Sequence, residues 1–275
     1  MPFAPVNGID LYYESHGSGP AVVLAHGAGG NHLSWWQQVP VFAERYRCIT
    51  FDHRAFGRSR DALGDEARGR MAFHEDLREL LNFLGIERAA IVAQSMGGRT
   101  AVGFALRNPG RCAAMVLAGT TGGAVDDDVR SLQEEHRASP MGQKTLMQRA
   151  ISPGLRRRAP HLHFLYRSIA RLNPPRPKDF LAPPPPGYRG SSAERLAEAD
   201  FPVLFLVGDH DAITPPAIIE RCHRAVVGSQ FRVIAGSGHS AYFEEPAAFN
   251  DAVLSFLAPV YPPKADAAAL AADGE

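Results

Sequence analysis

The stretch that decides the fold is A-A-I-V-A-Q-S-M-G-G-R-T-A-V-G, residues 89–103. Its first half is a short apolar run, and its second half is rich in small residues, as at the start of a helix. A buried strand that leads directly into a helix needs a very tight turn, and Ser95 lies at that turn. Small residues flank the serine, with Ala93 two positions before it and Gly97 and Gly98 after it. The pattern predicts that the Ser95 side chain is lifted out of the sheet.

This pattern is typical of a nucleophile elbow, G-x-S-x-G, with Ala93 in place of the first glycine. A serine in front of a helix more often serves only as its N-cap. The N–H groups of the helix that starts at Ser95 favour negative charge that develops next to them. The small residues on both sides favour a nucleophile over a cap.

Composition and charge exclude several classes of protein. The 275 residues contain 29 Lys and Arg and 29 Asp and Glu, so the balanced charge argues against a nucleic-acid or anionic-membrane partner. Cys48, Cys112 and Cys222 lie too far apart for a disulfide framework or a metal cluster. No apolar run approaches the ~18 residues of a membrane span, and the N-terminus does not resemble a signal peptide. We therefore expect a cytoplasmic protein.

Short apolar runs alternate with helical patterns on both sides of the deciding stretch. Asn7-Gly8 predicts a hairpin between two initial strands, 3–6 and 9–14. Further strands are predicted at 21–25, 47–51, 112–118, 201–207 and 230–235, and helices at 33–46, 70–84, 217–226 and 246–257. This alternation predicts an α/β protein whose mostly parallel sheet is covered by helices on both faces.

The alternation stops between residues 120 and 199, where no convincing buried strand is found. Helical patterns at 126–139, 141–151 and 156–172 are followed by many prolines, which favour an extended connector. We interpret 120–199 as a helical cap inserted into a core formed by 1–119 and 200–258. The tail, 259–275, has little to bury and is expected to fray. The run Arg156-Arg157-Arg158 favours a solvated helix face over a site for an anionic substrate.

Three loops that follow buried strands carry the groups of a serine nucleophile system. A serine hydroxyl needs an adjacent base, which is itself oriented by a third group. Ser95 follows one strand, Asp209 and Asp211 follow the next but one, and His239 follows the last. The carboxyl ends of parallel strands are where such groups meet. The order Ser, Asp, His is the one expected of an α/β-hydrolase arrangement.

From the initial hairpin to the closing helix, the sequence resembles the α/β-hydrolase superfamily, in its capped esterase, lactonase and carbon–carbon hydrolase branch. The resemblance implies an eight-stranded sheet and a triad of Ser95, Asp211 and His239, with the acid placed by G-x-x-D-x-x-x-P. The backbone N–H groups of Ala28 and Met96 are implied as the oxyanion hole. The D-x-R-G-x-G-x-S motif occurs at 52–59, with alanine at position 55, and is expected to shape its loop.

The resemblance implies hydrolysis of a small, largely apolar carboxylic ester or lactone, without metal or organic cofactor. A serine at the elbow disfavours epoxide hydrolases and haloalkane dehalogenases, which use aspartate there. Hydrolysis of a carbon–carbon bond next to a ketone is the alternative reaction, and a perhydrolase is less favoured because such relatives usually lack a cap. A small-molecule receptor with slow or no turnover is the alternative of another class.

The substrate and the oligomeric state stay open at this stage. Trp36, His32, His163 and Tyr242 are candidates for the wall of a substrate pocket. Core packing explains an aromatic residue equally well, and His163 and the neighbouring His161 fit the surface of a cap as well as a pocket.

Overall fold

A computed structural model of the chain describes residues 2–62, 64–177, 180–181 and 193–262. The predicted proline run at 183–186 and the tail from residue 263 lie outside these ranges. The strands are β1 Phe3–Val6, β2 Ile9–His16, β3 Ala21–Ala25, β4 Arg47–Phe51, β5 Ala89–Gln94, β6 Cys112–Ala118, β7 Val203–Gly208 and β8 Gln230–Ile234.

The α-helices are α1 Val39–Phe42, α2 Phe73–Phe83, α3 Met96–Ala105, α4 Asp127–Ala138, α5 Leu146–Arg149, α6 Leu155–Arg158, α7 Pro160–Arg171, α8 Ala193–Ala197, α9 Pro216–Ala225, α10 Ala241–Glu244 and α11 Pro246–Leu257. Three 3-10 turns lie at His32–Trp35, Gly64–Glu66 and Gly69–Ala72. None of the helices in the described ranges is long and apolar enough to span a bilayer.

The eight strands form one sheet in the order β1-β2-β4-β3-β5-β6-β7-β8. The pairs β1–β2 and β2–β4 are antiparallel, and the other pairs are parallel. The predicted hairpin is confirmed: Val6 pairs with Ile9, and Asn7 and Gly8 both have positive φ, as a tight primed turn requires. The mostly parallel eight-stranded sheet is confirmed as well.

Helices cover both faces of the sheet, because alternate residues of each central strand point to opposite faces. On one face, Val23 and Ile91 pack in a buried cluster with residues of α2, α3 and α9. On the other face, Leu24 and Val92 pack in a cluster with residues of α1 and α11. The central strands are therefore apolar throughout, as in a sheet that is buried on both sides.

The segment predicted as a cap holds α4 to α8, and these helices have two different surroundings. Val129 of α4 and Leu196 of α8 belong to the same core cluster as α9. Residues of α5 and α7 instead line the cavity beside Ser95. Within the described ranges, the residues of the predicted cap that line this cavity come from α5, from α7 and from the chain that follows each of these helices.

Two predicted helices are shorter than expected, for local reasons. The helix predicted at 33–46 is a 3-10 turn followed by α1. The side chain of Asn31 accepts a hydrogen bond from Leu33 N–H and starts the turn, and Pro40 has no N–H to continue a helix from Trp36. The helix predicted at 141–151 is only α5, because Thr145 caps it in a reciprocal bond with Gln148.

Candidate active site

Ser95 occupies a strained turn between β5 and α3, with φ 51° and ψ −115°. Backbone of this kind costs roughly 1–3 kcal/mol and is most often kept at functional sites. The glycines after the serine are required by close packing. A Cβ on Gly97 would lie 2.4 Å from the carbonyl oxygen of Ala25, and one on Gly98 would lie 2.4 Å from Thr120 Cγ2. The turn therefore presents the serine at the carboxyl end of the sheet, as the sequence pattern predicts.

Asp211 and His239 form a buried pair in the loops after β7 and β8. The carboxylate oxygens Oδ2 and Oδ1 of Asp211 lie 2.8 and 3.0 Å from His239 Nδ1. Oδ1 also accepts hydrogen bonds from the backbone N–H groups of Ile213 and Thr214, both at 2.8 Å. The backbone N–H groups thus hold the carboxylate in place, and the carboxylate orients the imidazole ring. The Nδ1 proton of His239 points at Asp211.

The other ring nitrogen of His239, Nε2, is available to accept a proton. Nε2 is buried and has no hydrogen-bond partner among the described residues. Such an atom is costly unless a ligand or a reacting group supplies a partner. Ser95 and His239 line the same cavity, and catalytic hydrogen bonds are often completed only when substrate binds.

Asp209 lies two positions from Asp211 but has a different environment. Its Oδ2 accepts from Gly236 N–H at 3.0 Å, and its Oδ1 accepts from Ser237 N–H at 3.2 Å. Its side chain therefore braces the loop that leads to His239.

Ala28 and Met96, the residues implied for the oxyanion hole, line the cavity together with Ser95. Met96 is the first residue of α3, and the first N–H groups of a helix have no intrahelical acceptor. Ala28 lies in the glycine-rich loop after β3. Asn31 ties this loop to α7 through a 3.0 Å hydrogen bond from its Nδ2 to the carbonyl of Ile169.

Two buried histidines support the loop of Ala28 from below. His26 Nδ1 donates to the carbonyl of Gly27, so its Nε2 accepts the backbone N–H of His53 at 3.0 Å. His53 Nε2 lies 2.9 Å from Thr100 Oγ1. Burial lowers the pKa of His26 to about 4 and lowers the pKa of His53 well below its usual value. Both rings are therefore neutral in the folded protein at neutral pH.

Acid should destabilise the fold through these histidines before most carboxylates titrate. The unfolded chain binds protons on them below pH ~6.5, whereas folded His26 does so only near pH 4. Their contribution to the free energy of unfolding is therefore complete above pH ~6.5. Below pH ~6.5 this contribution falls by about 1.4 kcal/mol per histidine for each pH unit.

Urea unfolding between pH 6.5 and pH 5 measures this slope. His26→Gln should reduce the pH dependence of the free energy of unfolding by about the contribution of one histidine. His161→Gln, at an exposed position of α7, should leave this dependence unchanged. Equal slopes in all three proteins would contradict the role given to His26.

The cavity beside Ser95 has a volume of about 480 Å³. Its wall combines apolar side chains, some of them from α5 and α7, with several polar groups. The lining residues are Ala28, Gly29, Arg70, Gln94, Ser95, Met96, Arg99, Leu146, Met147, Ala150, Tyr166, Ala170, Arg176, Leu181, Ile213 and His239. A site of this size and character is typical of small-molecule binding.

A family profile described as alpha/beta hydrolase fold matches residues 20–246. The chain belongs to the α/β-hydrolase fold family. Among its relatives, a 2-hydroxy-6-oxononadienedioate/2-hydroxy-6-oxononatrienedioate hydrolase of Paraburkholderia phymatum is 31% identical over 276 residues, covering 90% of each chain.

Solved structures agree with this assignment. A thermophilic esterase from Thermogutta terrifontis has a TM-score of 0.75 and 28% identity, covering 92% of this chain and 94% of the esterase. Est816, described as an N-acyl homoserine lactone degrading enzyme, has a TM-score of 0.73 and 26% identity, covering 93% and 100%.

None of the four pocket residues predicted from the sequence is among the described residues that line this cavity. Trp36 is 43% exposed and points its ring at Phe243. The Nδ1 of His32 lies 2.9 Å from Asp52 Oδ1. Asp52 also accepts from the backbone N–H of Arg58 at 2.7 Å, so its motif organises a loop, as expected.

The other two predicted pocket residues are held by the core and by the cap. Tyr242 is buried, and its ring centre lies 4.8 Å from that of Trp35. His163 is half-buried on α7 and does not contact the cavity. The type of a residue and its place in the sequence do not report the direction of its side chain.

Sequence reasoning missed several groups that hold the site together. Gln94 Nε2 donates to the carbonyl oxygen of His239 at 3.1 Å. Buried Glu244 accepts from Gly238 N–H at 2.9 Å and from Ser152 N–H at 3.0 Å, which joins the His239 loop to the cap segment. Burial raises the pKa of this carboxyl. The position of Gln94 next to Ser95 is a signal that could have identified it. No pattern in the sequence around Glu244 indicates its role.

Gly119, at the end of β6, lies against the pair of Asp211 and His239. A Cβ there would be 3.0 Å from Asp211 Oδ2 and 3.1 Å from His239 Nδ1. Gly119→Ala should therefore lower kcat by roughly tenfold, since small misplacements of reacting groups are costly. Gly110→Ala is the matched control, because Gly110 also has positive φ but open space around its Cβ position. Kinetics of both variants on one ester test this; equal kcat losses would assign the effect to backbone strain alone.

Proposed function

We propose that this α/β hydrolase cleaves a carboxylic ester or a lactone through an acyl-enzyme on Ser95. The observation that carries the proposal is the arrangement of His239: Asp211 holds its Nδ1, and its buried Nε2 has no partner in the described part of the chain, beside the cavity that Ser95 lines. A serine at a strained elbow and a base with one free nitrogen are the parts that a serine hydrolase requires.

In the proposed first step, His239 takes the proton of Ser95 as its oxygen attacks the carbonyl carbon. The negative charge that develops on the carbonyl oxygen accepts hydrogen bonds from the N–H groups of Ala28 and Met96. Each such donor is typically worth about 3–4 kcal/mol in the transition state. Asp211 stabilises the imidazolium, which then protonates the leaving alcohol.

In the second step, water takes the place of the alcohol. His239 removes a proton from this water as it attacks the acyl carbonyl, and the same N–H groups bind the second oxyanion. Collapse of this intermediate returns the proton to Ser95 and releases the carboxylic acid. For a lactone, acid and alcohol leave as one hydroxy acid.

The similarity to the Thermogutta esterase and to Est816 supports an ester or lactone as the substrate. The relative from Paraburkholderia phymatum supports a second candidate, the hydrolysis of a carbon–carbon bond next to a ketone. In that reaction the leaving group is a carbanion equivalent rather than an alcohol, so a substrate must stabilise negative charge on carbon. The same nucleophile and oxyanion hole serve both reactions.

A substrate screen separates these possibilities. We expect turnover of p-nitrophenyl esters with an optimum in acyl-chain length, or of lactones, or of both. Turnover of a vinylogous diketone without any ester or lactone turnover would favour the carbon–carbon hydrolase. Tight binding of a small molecule without turnover of any of these substrates would favour a receptor instead.

A further inference from the structure

The cavity beside Ser95 has a cationic wall. Among the described residues that line it, the formally charged groups are the guanidinium groups of Arg70, Arg99 and Arg176, and no aspartate or glutamate lines it. Asp211 lies behind His239, and its carboxylate is already bound to that ring and to two backbone N–H groups. The formally charged side chains that the described part of the wall presents to a substrate are therefore guanidinium groups.

Arg176 has the most informative surroundings of the three. Its guanidinium carbon lies 3.9 Å from the centre of the Phe56 ring. Its Nη1 donates to the carbonyl oxygens of Ala55 at 3.2 Å and of Pro174 at 3.4 Å. Within the described ranges, no carboxylate pairs with it, and burial lowers the pKa of its guanidinium without an opposing effect from an acid.

An arginine in this position is prepared to bind an anion. A guanidinium has five N–H donors in a planar fork, and the two carbonyl contacts of Arg176 both use Nη1. Among the described residues, the donors on Nε and Nη2 have no acceptor, and they remain for a ligand. A half-buried cation has lost part of its hydration, so a charge-assisted pair with an anion recovers more free energy there than at an exposed site.

We propose that the substrate of this hydrolase carries a carboxylate, which Arg176 binds inside the cavity while Ser95 attacks a carbonyl elsewhere in the same molecule. The inference rests on the proposed function. Arg70 and Arg99 line the same cavity, but the proposal rests on Arg176 alone. The remaining lining is largely apolar, which favours a hydrocarbon chain with one negative charge over a dianionic phosphate, because the cost of desolvation rises with charge.

The test compares two esters of equal length that differ only in charge. One is the mono-4-nitrophenyl ester of adipic acid, and the other carries a carboxamide in place of its free carboxylate. We expect wild-type kcat/KM to be at least tenfold higher for the acid ester, as a charge-assisted hydrogen bond supplies. The glutarate and pimelate pairs vary the distance between the carboxylate and the reacting carbonyl.

Variants assign the preference to Arg176. Arg176→Ala should lower the ratio of the two kcat/KM values by at least tenfold. Arg176→Lys should restore part of the ratio, since it keeps the charge but not the fork. Arg156→Ala, at an exposed arginine of α6, is the matched control and should leave the ratio unchanged. Equal losses on both esters in Arg176→Ala would mean that Arg176 only supports the loop of Ala55, and would overturn the proposal.

The outcomes separate this proposal from the proposed function. If the wild type hydrolyses both esters equally at every length and Ser95→Ala abolishes both activities, the carboxylate site falls and the serine hydrolase stands. If the wild type hydrolyses neither ester, the proposed function fails for esters, and calorimetric titration of adipate decides the site by binding alone. At least tenfold weaker binding to Arg176→Ala than to the wild type supports the site, and equal affinities or no binding to the wild type overturn it.

Discussion

Ser95→Ala is expected to lower kcat on any ester substrate by about 10⁶-fold, the scale of losing the nucleophile of a serine triad. The remaining hydrolysis comes from the oxyanion hole and from binding, which the substitution leaves in place. Stability should change little, because alanine must adopt the same strained backbone as serine, with φ 51°, and because the hydroxyl faces a cavity rather than the core. Steady-state kinetics and thermal unfolding of the same preparation measure the two effects.

Two controls make this result specific to the elbow. Ser131→Ala removes an exposed hydroxyl that donates to the carbonyl of Asp127 within α4, and it should leave kcat unchanged. A serine-directed phosphonate should label the wild type at Ser95 and should fail to label Ser95→Ala. A Ser95→Ala enzyme that keeps more than about a tenth of wild-type activity would exclude the serine mechanism, whatever the substrate.

The strands of the central sheet were predictable because each apolar run ends where polar or glycine-rich sequence begins. β3, β4 and β6 begin and end at the predicted residues. Their side chains are almost completely buried, so each strand is an uninterrupted apolar run with polar or glycine-rich chain on both sides. The helices of the predicted cap were less predictable, since their ends depend on single capping groups such as Thr145.

The loops that carry Ser95, Asp211 and His239 were predictable for a related reason. Each follows a buried strand, and parallel strands bring their carboxyl ends to one edge of the sheet. The cavity wall was not predictable in this way. Arg70, Arg99 and Arg176 lie far apart in the chain and meet only through tertiary packing. The arginine run at 156–158, which does form a sequence pattern, is exposed.

Asp211→Asn is expected to lower kcat by about 10³–10⁴-fold, the scale of losing the acid of a triad. Both oxygens of Asp211 lie within 3.0 Å of His239 Nδ1, and Oδ1 also accepts two backbone N–H groups. An asparagine amide has one oxygen in place of two. If that oxygen keeps the backbone bonds, the NH₂ group faces Nδ1 and selects the wrong tautomer of His239. In either orientation the imidazolium loses the negative charge that stabilises it.

Asp209→Asn is the matched comparison, since the same change is made two residues away. Asp209 accepts the N–H groups of Gly236 and Ser237, and an asparagine oxygen retains one of these bonds. The loop that carries His239 is held less firmly, but the charge of Asp211 beside His239 is kept. We therefore expect kcat to fall by roughly tenfold or less. Both variants are compared on one ester at one pH, so that only the substituted carboxylate differs between the two measurements. If Asp209→Asn is the variant that loses most of its kcat and Asp211→Asn stays active, the acid is Asp209. The contact between Asp211 and His239 Nδ1 then serves only to position the ring.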